Sequence, residues 1–174
     1  MTQAACAPRH AADEDHPGER PAYDLIELLF FAYRDFVSDP DRLLADFGFG
    51  RAHHRVLHFV DRQPGLTIAE LLDILRITKQ SLNRVLKELI GKGFIESRTG
   101  TADRRQRLLY VTPQGHELAL RLARLQSRRI ARALADEPAG SGEAASRFLL
   151  RMIDPTARAQ VRQIASGALG DLQP

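Results

Sequence analysis

The chain has 174 residues, 44% of them hydrophobic and 27% charged, so it can fill the core of one compact domain or of a small domain with helical additions. Its single cysteine, Cys6, excludes an internal disulfide and is typical of a reducing cytosol; we interpret it as an incidental thiol, with a redox sensor as the alternative. No apolar run approaches the roughly 18 residues that span a bilayer, and the N-terminus lacks a signal-peptide pattern. We therefore expect a soluble, cytoplasmic protein with no membrane partner.

The net charge of +3 is unevenly distributed. Residues 76–107 hold nine Lys/Arg against three Asp/Glu, a charge of +6, whereas the rest of the chain has 16 against 19. All three lysines of the protein lie in this segment. Because local charge density sets the field that a phosphate backbone meets, the segment indicates double-stranded DNA as a partner.

The N-terminal part contains a polar leader followed by an apolar helix. Residues 1–20 have no large apolar side chain after Met1, which predicts a disordered leader. Residues 21–46 are predicted to form an N-terminal dimerisation helix region. The run 22–37 is apolar around most of a helix, which needs more cover than one small domain supplies and therefore indicates a partner subunit. The Ser38-Asp39-Pro40 sequence is expected to break this helix.

Residues 47–112 are predicted to form a DNA-binding domain. A second helix covers 51–61, Thr67 and Glu70 form a capping box that begins a third, and Thr78 caps a fourth that ends near Ile90. Two short capped helices joined by three or four residues are typical of a helix-turn-helix, whose second helix enters the major groove. The predicted apolar stripe of the fourth helix is Leu82, Val85, Leu86, Leu89 and Ile90.

The other side of the fourth helix carries amide, guanidinium and ammonium groups. Amide and guanidinium groups match the paired donors and acceptors of adenine and guanine, so we expect base or near-base contacts here and a phosphate contact from Lys87. For this helix taken alone, an ordinary solvated face is the alternative. The candidate major-groove residues are Lys79, Gln80, Ser81, Asn83, Arg84 and Lys87.

Two short strands, 94–98 and 107–112, are predicted to form a hairpin, or wing, with arginines at its turn. Arginine is attracted to the negative potential of a minor groove, and we expect Asp103 to brace the turn while Arg105 inserts. A charged loop that only confers solubility is the alternative. The candidate wing residues are Arg98, Asp103, Arg104, Arg105 and Arg107; phosphate contacts are expected from Lys87, Lys92, Arg98 and Arg107.

Residues 113–174 are predicted to form C-terminal dimerisation helices. Pro113 suits the first turn of a long helix over 114–135, and a Gly/Ser break at 139–142 precedes helical stretches at 143–153 and 156–169. The expected fold class is therefore mainly α: an α+β winged helix-turn-helix core with N- and C-terminal dimerisation helices.

Two segments of this core, GLTIAELLDILRITKQSLNRVLKELIGKGFIESR and DRRQRLLYVTPQG, resemble a known family. They are similar to the winged-helix core of the MarR family of bacterial transcription regulators, in which an Asp-x-Arg wing precedes a strand ending in Leu/Val-Thr and then a glycine. The resemblance covers residues 47–135 closely. The matching positions are Ser81, Arg84, Gly93, Arg98, Asp103, Arg105, Val111, Thr112 and Gly115.

The resemblance implies a homodimer with interlocking terminal helices and one winged helix per half of a pseudo-palindromic operator. It also implies a repressor, less often an activator, that responds to a small aromatic acid, an oxidant or a metal. The Ser38 to Asp41 interruption and the Gly/Ser break depart from the family pattern, which affects the expected dimer interface. The candidates for an effector pocket are Phe30, Phe31, Tyr33, His54 and His58.

The histidines of the second helix leave three interpretations open. His54 and His58 are four residues apart and share a face, with His53 beside them; they are packing or surface residues, line an effector pocket, or bind a metal. Because no third ligand is evident, we expect no metal and no cofactor. Phosphate-binding Gly-rich loops and hydrolase motifs are also missing, so we expect no enzyme.

The sequence therefore predicts a sequence-specific transcriptional regulator, expected to act as a ligand-responsive repressor. Two alternatives stay open at this point. One is a winged-helix module that binds an acidic protein, and the other is an architectural protein that binds DNA without sequence preference.

Overall fold

The computed structural model of the chain describes residues 20–100 and 105–166. Cys6, Asp103, Arg104 and nearly all of the predicted leader lie outside these ranges. The described part is mostly helical with one small sheet, which confirms the expected fold class. Its elements are α1 Tyr23–Ala45, α2 Arg51–Arg62, β1 Leu66–Thr67, α3 Ile68–Leu75, α4 Lys79–Gly91, β2 Ile95–Thr99, β3 Arg107–Val111, α5 Pro113–Leu134, α6 Ser141–Met152 and α7 Arg158–Ser166.

The sheet is antiparallel, with strand order β1-β3-β2. Ile95 pairs with Val111 and Thr99 pairs with Arg107, as in the predicted hairpin. The sequence did not predict β1, because two residues are too few to show an alternating pattern. Through the pairing of Leu66 with Leu109, β1 attaches the start of α3 to the wing.

The core of the described part lies between the sheet and helices α2 to α5. Leu82, Val85, Leu86 and Leu89 are buried there, as predicted for α4. Ile90 was wrongly included in this stripe, since it is 41% exposed. Each residue advances about 100° around a helix, so Ile90 lies past the edge of the face that Leu82 and Leu89 define.

The sequence predicts that helix α1 breaks at Ser38-Asp39-Pro40. This prediction is wrong, because the helix continues through Pro40 to Ala45. Val37, Pro40 and Leu44 are its buried residues, and their spacing of three and four places them on one side of a helix. Asp39 Oδ2 also accepts a 2.9 Å hydrogen bond from Arg129 on α5. Packing of this side therefore offsets the backbone hydrogen bond that proline cannot donate.

Helix α5 begins under the sheet and extends beyond the core. Leu118 and Leu122 are buried, but Ile130 is 51% exposed, and no residue of α6 is buried. Ile130, in the second half of α5, therefore has little cover from the other described residues. No helix of residues 20–100 and 105–166 is both long and apolar enough to cross a membrane.

Candidate nucleic-acid interface

Helix α3, which precedes the turn into α4, is fixed at both ends by hydrogen bonds. At the start of α3, the Thr67 amide donates to Glu70 Oε2 at 2.8 Å and the Glu70 amide donates to Thr67 Oγ1 at 3.2 Å, so the predicted capping box is present. The bond from the Thr67 amide, with a further bond from its hydroxyl, lowers the pKa of Glu70. At the end of α3, Arg55 Nη2 donates to the Leu75 carbonyl at 3.0 Å.

Helix α4 begins with the predicted threonine cap. The Ser81 amide donates to Thr78 Oγ1 at 3.2 Å, and the Thr78 hydroxyl donates to Ser81 Oγ at 2.9 Å. The side chain of Ser81, a predicted DNA contact, thus also takes part in the cap. These bonds fix the first turn of α4, which lies at the surface. The backbone amides at this N-terminal end also favour an anion.

The exposed face of α4 has the composition predicted for groove contact. Its side chains form no hydrogen bond or ion pair with the rest of residues 20–100 and 105–166. They are therefore available to external acceptors, while the opposite side of the same helix is buried in the core. We call this face the recognition face; it consists of Lys79, Gln80, Asn83, Arg84 and Lys87.

The single carboxylate of α4, Glu88, points toward α2 and not into the recognition face. Its Oε2 lies 2.9 Å from His53 Nε2. His53 Nδ1 accepts a hydrogen bond from the Gly50 amide at 3.1 Å, so in the neutral ring Nε2 carries the proton and donates it to Glu88. The ring also stacks on Phe49, 4.7 Å between centroids.

His53 therefore joins the start of α2 to α4, a role that we had not predicted. The only sequence signal for it is the spacing from Gly50 to His53, which places the histidine at the third residue of α2. This geometry favours the packing interpretation for His53 over the metal interpretation. Among the described residues, no group of three or more His, Cys, Asp or Glu is arranged to hold a metal ion.

Lys92, which we had expected to contact phosphate, is engaged within the chain. Its Nζ donates to the Phe47 carbonyl at 2.5 Å and lies 4.8 Å from the centroid of the Phe49 ring. These contacts attach the end of α4 to the segment before α2. We therefore leave Lys92 out of the phosphate contacts proposed below.

The described part of the wing places arginines on both of its faces. Arg98 lies over the Tyr110 ring, 4.3 Å from its centroid, and pairs with Glu96. Arg107 lies on the other face, where its Nη1 donates to Thr99 Oγ1 at 3.1 Å. Arg105 is exposed at the edge of the described wing, and Asp103 and Arg104 lie outside the described residues. The predicted roles of Asp103 in bracing the turn and of Arg105 in entering the minor groove therefore stay predictions.

The five candidates for an effector pocket lie in different environments. Phe30, Phe31 and Tyr33 are each more than half exposed on α1. On α2, His58 is exposed, whereas His54 is 9% exposed and burial, followed by the neighbouring His58, lowers its pKa to about 4. The aromatic candidates are thus not enclosed by the described residues of their own chain.

Comparisons with known proteins identify the family of the chain. The sequence model of the MarR family matches residues 47–106. The HTH-type transcriptional regulator PetP of Rhodobacter capsulatus is 47% identical over 135 residues, which cover 76% of this chain and 80% of PetP. The match to PetP therefore extends well beyond the winged helix itself.

Solved structures share the fold. Streptococcus pneumoniae FabT in complex with DNA matches with a TM-score of 0.66 and 16% identity, covering 75% of this chain and 93% of that one. A MarR transcriptional regulator from Methanosarcina mazei Go1 matches with a TM-score of 0.63 and 18% identity, covering 75% and 94%. At these identities, the likeness establishes the architecture.

Proposed function

Because the chain belongs to the MarR family of transcriptional regulators, we propose that it binds a specific operator in double-stranded DNA and represses transcription from it. The observation that carries this proposal is the recognition face, a wholly basic and amide-bearing helix surface without internal partners among the described residues. Such groups supply the donors and acceptors that read base edges, and the positive charge supplies affinity for phosphate.

Within the recognition face, Arg84 and Lys87 have different proposed roles. Arg84 carries a planar guanidinium that can bond a guanine through two donors, and we assign it to base contact. Lys87, one turn further from the capped end, presents a single ammonium suited to phosphate. Asn83 and Gln80 offer amides for adenine. Arg98, Arg105 and Arg107 extend the positive surface over the wing.

The test compares Arg84→Ala with Lys87→Ala by fluorescence anisotropy on the preferred duplex and on variants of it. Arg84→Ala should cost about 1 to 3 kcal/mol on the preferred duplex and relax the preference at one base position. Lys87→Ala should weaken every duplex alike and reduce the dependence on salt by about one ion. Equal weakening of all duplexes by both variants would contradict this division.

Exposed apolar side chains on α1 and α6 support a homodimer. The first half of α1 exposes Leu28 at 63% and Phe30 at 68%, and α6 exposes Phe148 at 51%. Residues of both helices line one apolar groove of about 470 Å³, which includes Leu28 and Phe148. An apolar area of this kind is typical of an interface and costly in water. A second copy of the chain would bring a second winged helix to the other half of a pseudo-palindrome.

Dimer formation would also cover Phe30, Phe31 and Tyr33, and we propose that these aromatic side chains contribute to an effector pocket between subunits. An apolar pocket of this composition suits a small aromatic acid. Benzoate should then release the operator at a lower concentration from the original protein than from Phe30→Ala. If benzoate left operator affinity unchanged in both proteins, ligand response of this type would be ruled out.

Two other functions predict different binding behaviour. An architectural protein would bind duplexes in proportion to charge, with salt dependence but no preference for sequence. A module for acidic proteins would not retain duplex DNA at near-physiological salt. The amide-bearing positions of the recognition face favour sequence-specific binding over both.

A further inference from the structure

A second basic surface lies on α5, outside the elements assigned to operator binding. Its arginines follow one another at spacings of three and four, which places them along one side of the helix. Arg42, in the last turn of α1, lies beside them. Two adjoining depressions of about 460 and 510 Å³ run along this side. We call it the arginine groove; it consists of Arg42, Arg121, Arg124, Arg128 and Arg132.

The positive charge of the arginine groove is not balanced within the described residues. Asp39 is the only carboxylate there that lines either depression, and it already pairs with Arg42 and, at 2.9 Å, with Arg129. No ion pair of the described residues involves an arginine of the groove other than Arg42. Arg124 and Arg128 are four residues apart, and like charges at this spacing repel. An anion would relieve the repulsion and gain charge-assisted hydrogen bonds.

The groove also has an apolar part. Leu43 of α1 and Leu125 of α5 line the first depression and are both half-buried. Arginines and leucines that line the same depression match a ligand that has anionic groups on an apolar body. Several arginines in reach of one depression favour more than one carboxylate or phosphate on that ligand.

The arginine groove extends away from the wing along α5: Arg121 lies about 9 Å from Gly115 along the helix axis, and the other groove arginines of α5 lie further away. Helix α5 starts at the sheet, where Gly115 lies against the Phe94 carbonyl, and Arg128 follows 13 residues later. At 1.5 Å per residue this is about 20 Å along the helix axis. A small anion in the groove therefore explains the arginines more directly than a duplex held by α4 and the wing.

From this surface we infer that the arginine groove binds a small organic anion with at least two carboxylate or phosphate groups on an apolar body. The inference stands on the charge and shape of the α1–α5 surface. It does not depend on operator binding.

Phthalate, an aromatic dicarboxylate, is a suitable probe, measured by calorimetric titration of the full chain at low, constant ionic strength because salt screens such contacts. Saturable binding is expected, with a Kd about ten-fold or more weaker in Arg124→Gln/Arg128→Gln. The matched control is Arg147→Gln/Arg162→Gln, which removes two exposed arginines outside the groove and should bind phthalate as the original protein does. Arg121→Gln alone offers a second, milder variant if the double variant does not fold.

Three results would overturn the inference: no saturable binding of phthalate, equal weakening of phthalate binding in the two double variants, or a loss of affinity for the monoacid benzoate in Arg124→Gln/Arg128→Gln as large as the loss for phthalate. Duplex binding measured in parallel without phthalate separates this proposal from the regulator function. Loss of duplex binding by Arg124→Gln/Arg128→Gln, with no phthalate binding by the original protein, would assign the groove to DNA. Unchanged duplex binding with phthalate affinity lost would support the anion site.

Discussion

At the scale of single residues, Gly115 explains why a glycine follows the Val-Thr end of β3 by three positions. Thr112 caps α5 by accepting from the Gly115 amide at 3.1 Å, and its hydroxyl donates to the Gly93 carbonyl at 2.7 Å. A Cβ on residue 115 would lie 2.0 Å from the Phe94 carbonyl oxygen. The Thr-x-x-Gly pattern thus has a packing function: it brings the start of α5 against Phe94, the residue that precedes β2.

Gly115→Ala should therefore destabilise the protein by about 1 to 3 kcal/mol or more, since the backbone of Phe94 must move. Urea denaturation measures the change. Gly91→Ala is the matched control, because no atom lies within 4 Å of a Cβ at that position of α4. Alanine there should be neutral or stabilise by up to about 1 kcal/mol. Equal effects of the two substitutions would contradict this account of Gly115.

Arg76 is the one non-glycine residue with a positive φ, 51°, among the described residues. It ends α3 in the left-handed conformation, in which the Cβ of an L-residue costs roughly 1 kcal/mol. Arg76→Gly should therefore raise the free energy of unfolding by about 1 kcal/mol. Arg62→Gly, at the end of α2, is the control and should lower it by a similar amount. A loss of stability in both variants would show that the turn is not strained.

His54 predicts a dependence of stability on pH. Burial lowers its pKa from 6.5 to about 4, so the folded state favours the neutral ring. This contribution is complete above pH 6.5 and is lost as the pH falls toward 4. Between pH 7 and pH 5 the loss is about 2 kcal/mol. Denaturation of His54→Gln at both values should show a loss smaller by about this amount than that of the original protein; identical losses would contradict the assignment.

Among the elements, α4 has a binding role and a structural role, and a different lysine serves each of them. Lys87 lies on the recognition face, whereas Lys92 binds the Phe47 carbonyl and the face of Phe49 at the end of the helix. The sequence alone does not distinguish Lys87 from Lys92, because both are lysines of one basic segment. Lys92 has a structural role only because the folded chain places residues 47–49 against the end of α4.

Lys92→Ala should therefore lower the free energy of unfolding by about 1 kcal/mol, the usual contribution of a hydrogen bond with a cation–π contact. Lys87→Ala should leave stability within about 0.5 kcal/mol and weaken duplex binding instead. Thermal unfolding and anisotropy on the same two variants check both statements. A variant pair that behaved alike in both assays would remove the distinction.

Elements that depend on local patterns were predicted well from the sequence. The caps Thr67 and Thr78 and the hairpin of β2 and β3 are present as predicted, because each depends on residues close together in the chain. The errors arise where distant residues decide. Helix α1 passes through Pro40 because α5 packs against it, and His53 is fixed by Glu88, 35 positions away.

In the whole molecule, the first half of α1 and one face of α6 expose apolar side chains that the other described residues do not cover. A charge in this surface should prevent association of two copies. Leu28→Glu should sediment as a monomer under conditions in which the original protein is a dimer. Ala69→Glu introduces the same charge at an exposed position of α3, outside the surface, and should remain dimeric. If Leu28→Glu also remained dimeric, another surface would form the interface.

The described residues form two basic surfaces, although the sequence composition indicated only one of them. In residues 76–107 the excess is evident from composition, whereas the arginines of α5 are diluted by carboxylates elsewhere in the chain. Folding separates the two: the recognition face and wing form the proposed operator surface, and the arginine groove lies further along α5.

We propose that two copies of this chain select a DNA sequence with their two winged helices. Selection of bound duplexes from a random library at near-physiological salt, followed by sequencing, tests it most directly. If a dimer reads both half-sites, an inverted repeat whose half-sites lie about one helical turn apart should be enriched. Retention of duplexes without enrichment, or no retention at all, would contradict the proposal.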